Sequence, residues 1–297
     1  MASHHSAASQ GPLSLQQAQS ALQSRLISLY SQREAANITD WVLENITGKK
    51  KIDRILYKSS LLTPKESLLF EKYATDLEAG RPVQYVLHES WFDGLRFYVD
   101  ESVLIPRPET EELVDWVAAE AAASPDNSGP ILDVGTGSGC IALSLKHRLP
   151  GALVLACDCS EKALSVARRN AADLSIAVDF QTLDFLDIDQ RVHLPPTLLL
   201  VSNPPYIPLR DKASMAPRVT DHEPHMALFV KDEDPLVFYK ALALHGRSHL
   251  LPGGAIYAEI HEELATPVAD LFRQTGYEQV FIKKDMQGKE RMIKATT

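Results

Sequence analysis

The chain has 297 residues, a formal net charge of −9 at pH 7, 45% hydrophobic and 23% charged residues. That is an ordinary globular mixture, long enough for two domains, and no apolar run approaches the roughly 18 residues of a membrane span. The acidity gathers beyond the first 85 residues, a poor match to a phosphate backbone, so neither nucleic acid nor membrane is expected as a direct partner.

Met1 to Gln10 is polar and small. It has neither the apolar centre of a signal peptide nor the arginines of a transit peptide, and reads as a disordered tail of a cytoplasmic protein. Residues 14–80 contain no convincing strand. Leu15, Ala18, Leu22, Leu26 and Leu29 recur at helical spacing. Ile38, Trp41, Val42 and Ile46 predict a second helix, with Thr39 as its cap and Gly48 as its stop. Ile52 to Leu56 predicts a short third. Thr63-Pro64-Lys65-Glu66 reads as a cap, a proline at the first helical position and a capping-box glutamate, opening a helix through Leu77. Residues 1–82 are therefore expected to form a small all-helical domain, marginal on its own at ~70 ordered residues. Gly80-Arg81-Pro82 ends the pattern. Val83 to Val103 alternates apolar and polar around Asp93-Gly94, a hairpin signal, so residues 83–105 are expected to be a β-hairpin linker.

Strand and helix patterns alternate through residues 106–297. A helix is expected from Glu111 to Ala122, then a loop from Ser124 to Pro130. Strands follow at Ile131 to Val134, Leu153 to Cys157, Ile176 to Gln181 and Thr197 to Ser202. Helices at Ile141 to Arg148 and Glu161 to Ala172 separate the first three. About 30 residues without periodicity follow Tyr206, a length that is usually functional or disordered. Pro235 to Leu250 is helical, Ala255 to Ile260 a strand, Leu264 to Gln274 a helix, and Gly276 to Ile282 and Arg291 to Lys294 late strands. Such alternation predicts an α/β domain with a parallel sheet covered by helices. Cys140, Cys157 and Cys159 are an odd set without secretory context and read as small buried hydrophobes. No metal site is expected; His261 beside Glu262 lacks a second histidine at helical spacing.

Two loops carry the chemistry. Asp133-Val134-Gly135-Thr136-Gly137-Ser138-Gly139 joins the first of these strands to its helix. Its glycines permit a tight turn and close approach of a ligand. Asp158 ends the next strand, where an acid can accept from both hydroxyls of a ribose. A dinucleotide site would show Gly-x-Gly-x-x-Gly and tolerate no acid at Asp133, where its pyrophosphate would sit. Gly-x-Gly-x-Gly with Asp133 fits S-adenosylmethionine, which carries a sulfonium and an ammonium and no phosphate. Asp133 has a second reading, capping the loop's own amides. The other loop is Asn203-Pro204-Pro205-Tyr206. An Asn-Pro pair marks turns in general. Here it follows a buried strand, at the edge where α/β sheets bind ligands. The Asn203 oxygen and the Pro204 carbonyl could accept the two hydrogens of a planar –NH2 group, with Tyr206 on its face.

The chain resembles the HemK/PrmC family of protein-glutamine N5-methyltransferases. The likeness rests on Phe92-Asp93-Gly94-Leu95-Arg96-Phe97-Tyr98-Val99, Leu104-Ile105-Pro106-Arg107-Pro108-Glu109-Thr110, the glycine loop, Asn203-Pro204-Pro205-Tyr206, Glu223-Pro224, and Lys284-Asp285 with Arg291. The resemblance implies a class I S-adenosylmethionine-dependent methyltransferase fold, Rossmann-like, with a mostly parallel seven-stranded sheet behind the helical domain. It implies methylation of the glutamine in the Gly-Gly-Gln motif of class I peptide chain release factors, in a cytoplasmic monomer, with S-adenosylhomocysteine as product. Gly135, Thr136, Gly137, Ser138 and Gly139 would cradle the methionine part of the cofactor, Asp158 its ribose and Phe185 its adenine. Asn203, Pro204, Pro205 and Tyr206 would form the catalytic and substrate-binding set, Asn203 also meeting the cofactor. Two stretches depart from the family pattern, Glu259-Ile260-His261-Glu262-Glu263-Leu264 and Val230 to Leu236.

An amide nitrogen is a poor nucleophile, and no strong base is evident in the sequence. Positioning in a dry site and acceptors matched to developing charge must then carry the reaction. The Asn-Pro-Pro-Tyr motif is shared with adenine-N6 methyltransferases of nucleic acid, the alternative function. That reading needs extra aromatic stacking and a basic channel, against the acidity of this half. A cofactor-binding scaffold without catalysis is the third reading, and the intact motif argues against it.

Overall fold

A computed structural model describes residues 11–123 and 129–297. The expected tail and most of the loop at 124–130 lie outside the described residues. The chain divides in sequence into two compact units, 1–87 and 88–297.

The first unit is helical: α1 Leu15–Leu26, α2 Gln32–Thr47, α3 Lys51–Leu56, α4 Pro64–Glu78 and α5 Val83–Leu87. The helix-start chemistry is largely as the sequence suggests. Thr63 and Glu66 form a capping box on α4, and Gly48 ends α2 with φ 66°, each device contributing roughly 1 kcal/mol. Thr39 is a correction. It is fully buried inside α2, whose cap is Ser31. The polar first turn of α2, Gln32-Arg33-Glu34, carries no apolar periodicity to reveal it. A second correction is α5, expected as a strand. The Pro82 carbonyl accepts from the N–H groups of Tyr85 and Val86, and Val83, Val86 and Leu87 pack into the helical core. Adjacent buried residues make a short helix here, not alternating faces.

The second unit opens with the hairpin β1 Ser90–Phe92 and β2 Leu95–Phe97. Asp93 and Gly94 both adopt positive φ, 52° and 72°, as a two-residue turn of the primed type requires. Phe92 and Phe97 are buried while Trp91 is exposed, so the hairpin packs as part of this unit. Next come α6 Pro108–Ala123, β3 Ile131–Val134, α7 Cys140–Arg148, β4 Val154–Asp158, α8 Glu161–Leu174, β5 Asp179–Thr182, α9 Ile188–Arg191 and β6 Thr197–Ser202. Then follow β7 Ile207–Pro208, α10 Pro217–Thr220, β8 Phe229–Val230, α11 Val237–His249, β9 Leu250–Glu259, α12 Ala265–Gln274, β10 Gln279–Lys284 and β11 Glu290–Thr296.

Seven strands form one sheet in the order β10-β11-β9-β6-β3-β4-β5. Only β11 runs against its neighbours. This is the mostly parallel, seven-stranded class I methyltransferase sheet. Its inner strands β3, β4 and β6 are mostly apolar runs because both of their faces are covered, whereas the outer strands β5 and β10 carry polar, exposed positions. Leu199 and Val201 pack with Leu113, Val117 and Leu145 of α6 and α7, while Leu200 and Ile256 pack with Leu242 and Phe272 of α11 and α12. Each such side chain contributes about 1.5–3 kcal/mol by leaving water. Of the three cysteines expected to be buried, Cys157 is buried, Cys140 at the start of α7 is half-buried, and Cys159 is exposed, because it lies beyond the end of β4.

The chain leaves β3 for β4 and β5 on one side, then crosses to β6 on the other. That reversal opens a crevice at the carboxyl ends of the strands. Register aligns those ends: Val134 lies opposite Cys157 and Ser202, and Ser202 opposite Ala258. Gly135, Asp158, Asn203 and Glu259 therefore emerge together at one edge.

Candidate active site

The glycine loop is shaped from within. Gly135, Gly137 and Gly139 all have positive φ, 73°, 55° and 82°. A Cβ at Gly135 or Gly137 would meet open space, whereas one at Gly139 would press Leu143 and Ala167 at 3.1 and 3.2 Å. The first two thus leave the backbone open to a ligand, and the third lets α7 pack. Asp133 is wholly buried beneath the loop. Its Oδ2 accepts from Thr136 Oγ1 at 2.6 Å and from the Ala142 N–H at 3.2 Å, while its Oδ1 has no partner. Burial pushes its carboxyl up to about 7, opposed by those two hydrogen bonds and helped by the nearby Asp158 charge. The loop-capping role is therefore real, and one buried acceptor remains.

Asp158 accepts from the N–H groups of Gly137 and Ser160, each at 2.9 Å. Burial raises its carboxyl despite those bonds. Two carboxylates beside open backbone suit a cationic ligand with hydroxyl donors, and suit a pyrophosphate poorly. The residues therefore fit S-adenosylmethionine. Phe185 is 5% exposed, edge-to-face with His245 at 5.2 Å.

Asn203 and Tyr206 converge on two residues whose roles the sequence does not reveal. Asn203 Nδ2 donates to Thr110 Oγ1 at 3.0 Å, and Thr110 Oγ1 donates to Glu259 Oε2 at 2.6 Å. The Tyr206 hydroxyl donates to Glu259 Oε1 at 2.9 Å. Burial raises the carboxyl of Glu259, with the Thr110 and Tyr206 hydrogen bonds and Arg291 opposing. Burial next to Glu259 likewise pushes the Tyr206 phenol well above its ordinary value. The signal for Glu259 was an acid closing an apolar strand at the same edge as Asn203.

Asn203, Pro204, Tyr206 and Glu259 line a cavity of about 180 Å³ with Leu104, Arg107, Ile207, Met215, Val219, Ala227 and Leu228. Pro205 is not among its lining residues. The stretch after Tyr206 supplies Ile207, Met215, Val219, Ala227 and Leu228 to the cavity wall. Its β7 and β8 pair in parallel, and Glu223 reaches back to accept from Arg107 Nη2 at 2.5 Å and from the Ile105 N–H at 3.2 Å. That contact explains physically why Pro106-Arg107-Pro108 and Glu223-Pro224 occur together. Asn170 is another residue without a local signal. Its Nδ2 donates to the Ser138 carbonyl at 2.9 Å and its side chain brackets the Tyr98 backbone, tying the glycine loop to the segment after β2. Among the described residues, no group of three or more His, Cys, Asp or Glu is arranged to hold a metal ion.

Comparison with known proteins adds the following. Residues 14–87 match the family described as PrmC N-terminal domain, and residues 113–221 the Methyltransferase small domain. A release factor glutamine methyltransferase of Flavobacterium psychrophilum is 38% identical over 273 residues, covering 91% of this chain and 94% of that protein. One of Bacteroides thetaiotaomicron is 38% identical over 270 residues, covering 91% and 95%. Among solved structures, the hMettl16 catalytic domain in complex with the MAT2A 3'UTR hairpin 6 superposes with a TM-score of 0.52 at 17% identity, over 80% of this chain and 84% of that one. That last likeness concerns the fold alone.

Proposed function

The chain belongs to the release factor glutamine methyltransferases, and from that premise we propose that it methylates the side-chain amide nitrogen (N5) of the glutamine in the Gly-Gly-Gln motif of class I peptide chain release factors, with S-adenosylmethionine as methyl donor. The observation that carries this reading is the position of Asn203. It directly follows β6, next to the strand that leads into the glycine loop, and lines a cavity with Pro204 and Tyr206. The cavity lining combines polar side chains, Asn203, Arg107, Tyr206 and Glu259, with apolar ones, Leu104, Met215, Val219 and Leu228. An amide on a short aliphatic stem matches both.

In this reading Asn203 Oδ1 and the Pro204 carbonyl accept the two hydrogens of the glutamine amide. Two acceptors favour electron density on nitrogen and fix its lone pair toward the glycine loop. Tyr206 covers the amide face, held by its bond to Glu259. Gly135 to Gly139 and Asp158 hold the cofactor. Bound there, S-adenosylmethionine would supply a methyl group on a sulfonium, with S-adenosylhomocysteine as the product. Glu259 is engaged by the Thr110 and Tyr206 hydroxyls, one on each oxygen, and serves here to hold those two side chains. The amide proton passes to water after methyl transfer, when the nitrogen is most acidic.

The test is incubation with methyl-labelled S-adenosylmethionine and either a class I release factor or duplex DNA. Label should enter the release factor and should be lost with Asn203→Ala. Label in the DNA and not in the protein would support the adenine-N6 alternative.

A further inference from the structure

Asn203 can accept from a substrate amide in only one of its two amide orientations. Exchanging the oxygen and nitrogen of a planar amide keeps its shape but turns donors, not an acceptor, toward the cavity. A substrate –NH2 would then face another –NH2. Thr110 decides between the two. Its hydroxyl has one proton, and that proton goes to Glu259 Oε2 at 2.6 Å. The other carboxylate oxygen accepts from Tyr206, and the Glu259 backbone carbonyl accepts from the Tyr239 hydroxyl at 2.9 Å. Glu259 is thus pinned by its side chain and its backbone. A carboxylate has no proton to give, so Thr110 must donate to it. Toward Asn203 the Thr110 oxygen can then only accept, and Asn203 Nδ2 is the donor found there, at 3.0 Å. Among the described residues no group donates to Asn203 Oδ1.

We infer that Thr110 and Glu259 are positioning residues that lock the Asn203 amide with its oxygen toward the substrate cavity. The inference rests on the reading of Asn203 as the acceptor for the substrate amide, and both residues act through Asn203. Thr110 is 2% exposed and Glu259 is 2% exposed, so bulk water does not compete for these bonds. Burial raises the Glu259 carboxyl and the Glu109 charge from α6 adds to that, while the Thr110 and Tyr206 hydroxyls and the Arg291 charge from β11 oppose it; both oxygens accept from those hydroxyls, the arrangement of the carboxylate form. A packing role for Thr110 would be met equally by valine, which has the same shape and no hydroxyl. The relay is met by serine, which has the hydroxyl and lacks the methyl.

The experiment uses the full chain with Thr110→Val, Thr110→Ser, Glu259→Gln and Asn203→Ala. Single-turnover methylation of a class I release factor is measured at saturating S-adenosylmethionine, with cofactor affinity by calorimetry and folding by thermal melt. Thr110→Val should lower the rate on the order of 10- to 100-fold, the scale of a misplaced reacting group, and leave cofactor affinity unchanged. Thr110→Ser should recover most of that loss. Glu259→Gln should also lower the rate, because a glutamine can donate to Thr110 and free its proton for the wrong orientation of Asn203. Thr110→Val at the parent's rate, or Thr110→Ser as slow as Thr110→Val, overturns the inference while a slow Asn203→Ala keeps the reading beneath it. Asn203→Ala at the parent's rate overturns both. If Thr110→Val does not fold, Glu259→Gln decides: turnover equal to the parent's overturns the relay.

Discussion

The Asp158 carboxylate already holds two backbone N–H groups, so it serves the shape of the glycine loop as well as any ribose. Asp158→Ala should weaken S-adenosylmethionine binding by roughly 1.5–3 kcal/mol, the scale of hydrogen bonds to a charged group; calorimetry giving an unchanged dissociation constant would remove Asp158 from the cofactor site. Asp133 has a pH signature. Its folded-state value, about 7, lies above the value of roughly 3.9 in an unfolded chain. The folded chain then holds the proton more tightly, so its stability falls as pH rises through that window and the full cost is present above it. Asp133→Asn removes the titration. The melting temperature of the variant relative to the parent should rise between about pH 4 and about pH 8, and an equal difference at both ends would contradict the assignment. Asp133, Asp158 and Asn203 were legible because each closes or precedes a loop at the end of an apolar strand. The linkage of Thr110 to Glu259 was not, because it spans 149 residues and no local pattern records it.

At the level of elements, the long runs with regular periodicity were legible and the single-turn pieces were not. β3, β4 and β6 announce themselves as buried apolar runs, and α4 by its cap. The stretch after Tyr206 resolves into the two-residue strands β7 and β8, a four-residue helix α10 and two 3₁₀ turns, each too short to show a period. What orders it is tertiary: the buried Glu223 carboxylate bridging to Arg107 and Ile105. Glu223→Gln keeps the shape and removes the charge. It should cost about 1–3 kcal/mol of stability and raise KM for the release factor several-fold, because that wall of the cavity loosens. Cofactor affinity should stay put, since the glycine loop lies apart from this stretch in the hydrogen-bond network. A stability equal to the parent's by chemical denaturation would show that the bridge does not hold the wall.

For the molecule as a whole, the division into a helical unit and a methyltransferase unit was legible in the change from helical periodicity to alternating strands and helices. Its position shifted, because α5 packs with the helices and a run of adjacent apolar residues does not distinguish strand from helix. No helix among the described residues is long and apolar enough to cross a membrane. We propose that the helical unit helps hold the protein substrate. It exposes Ile55, Leu56 and Tyr57 at 57%, 70% and 56%, and nothing in the cofactor cradle comes from it. A chain starting at His88 should bind S-adenosylmethionine like the parent but methylate a folded release factor poorly. Equal catalytic efficiency in the two forms would assign the helical unit another task. Tandem mass spectrometry of a class I release factor incubated with this protein and S-adenosylmethionine reads the acceptor atom directly. The account predicts one added methyl group on the glutamine of the Gly-Gly-Gln motif, absent with Asn203→Ala; an unmodified glutamine there under conditions where the cofactor is bound would contradict it.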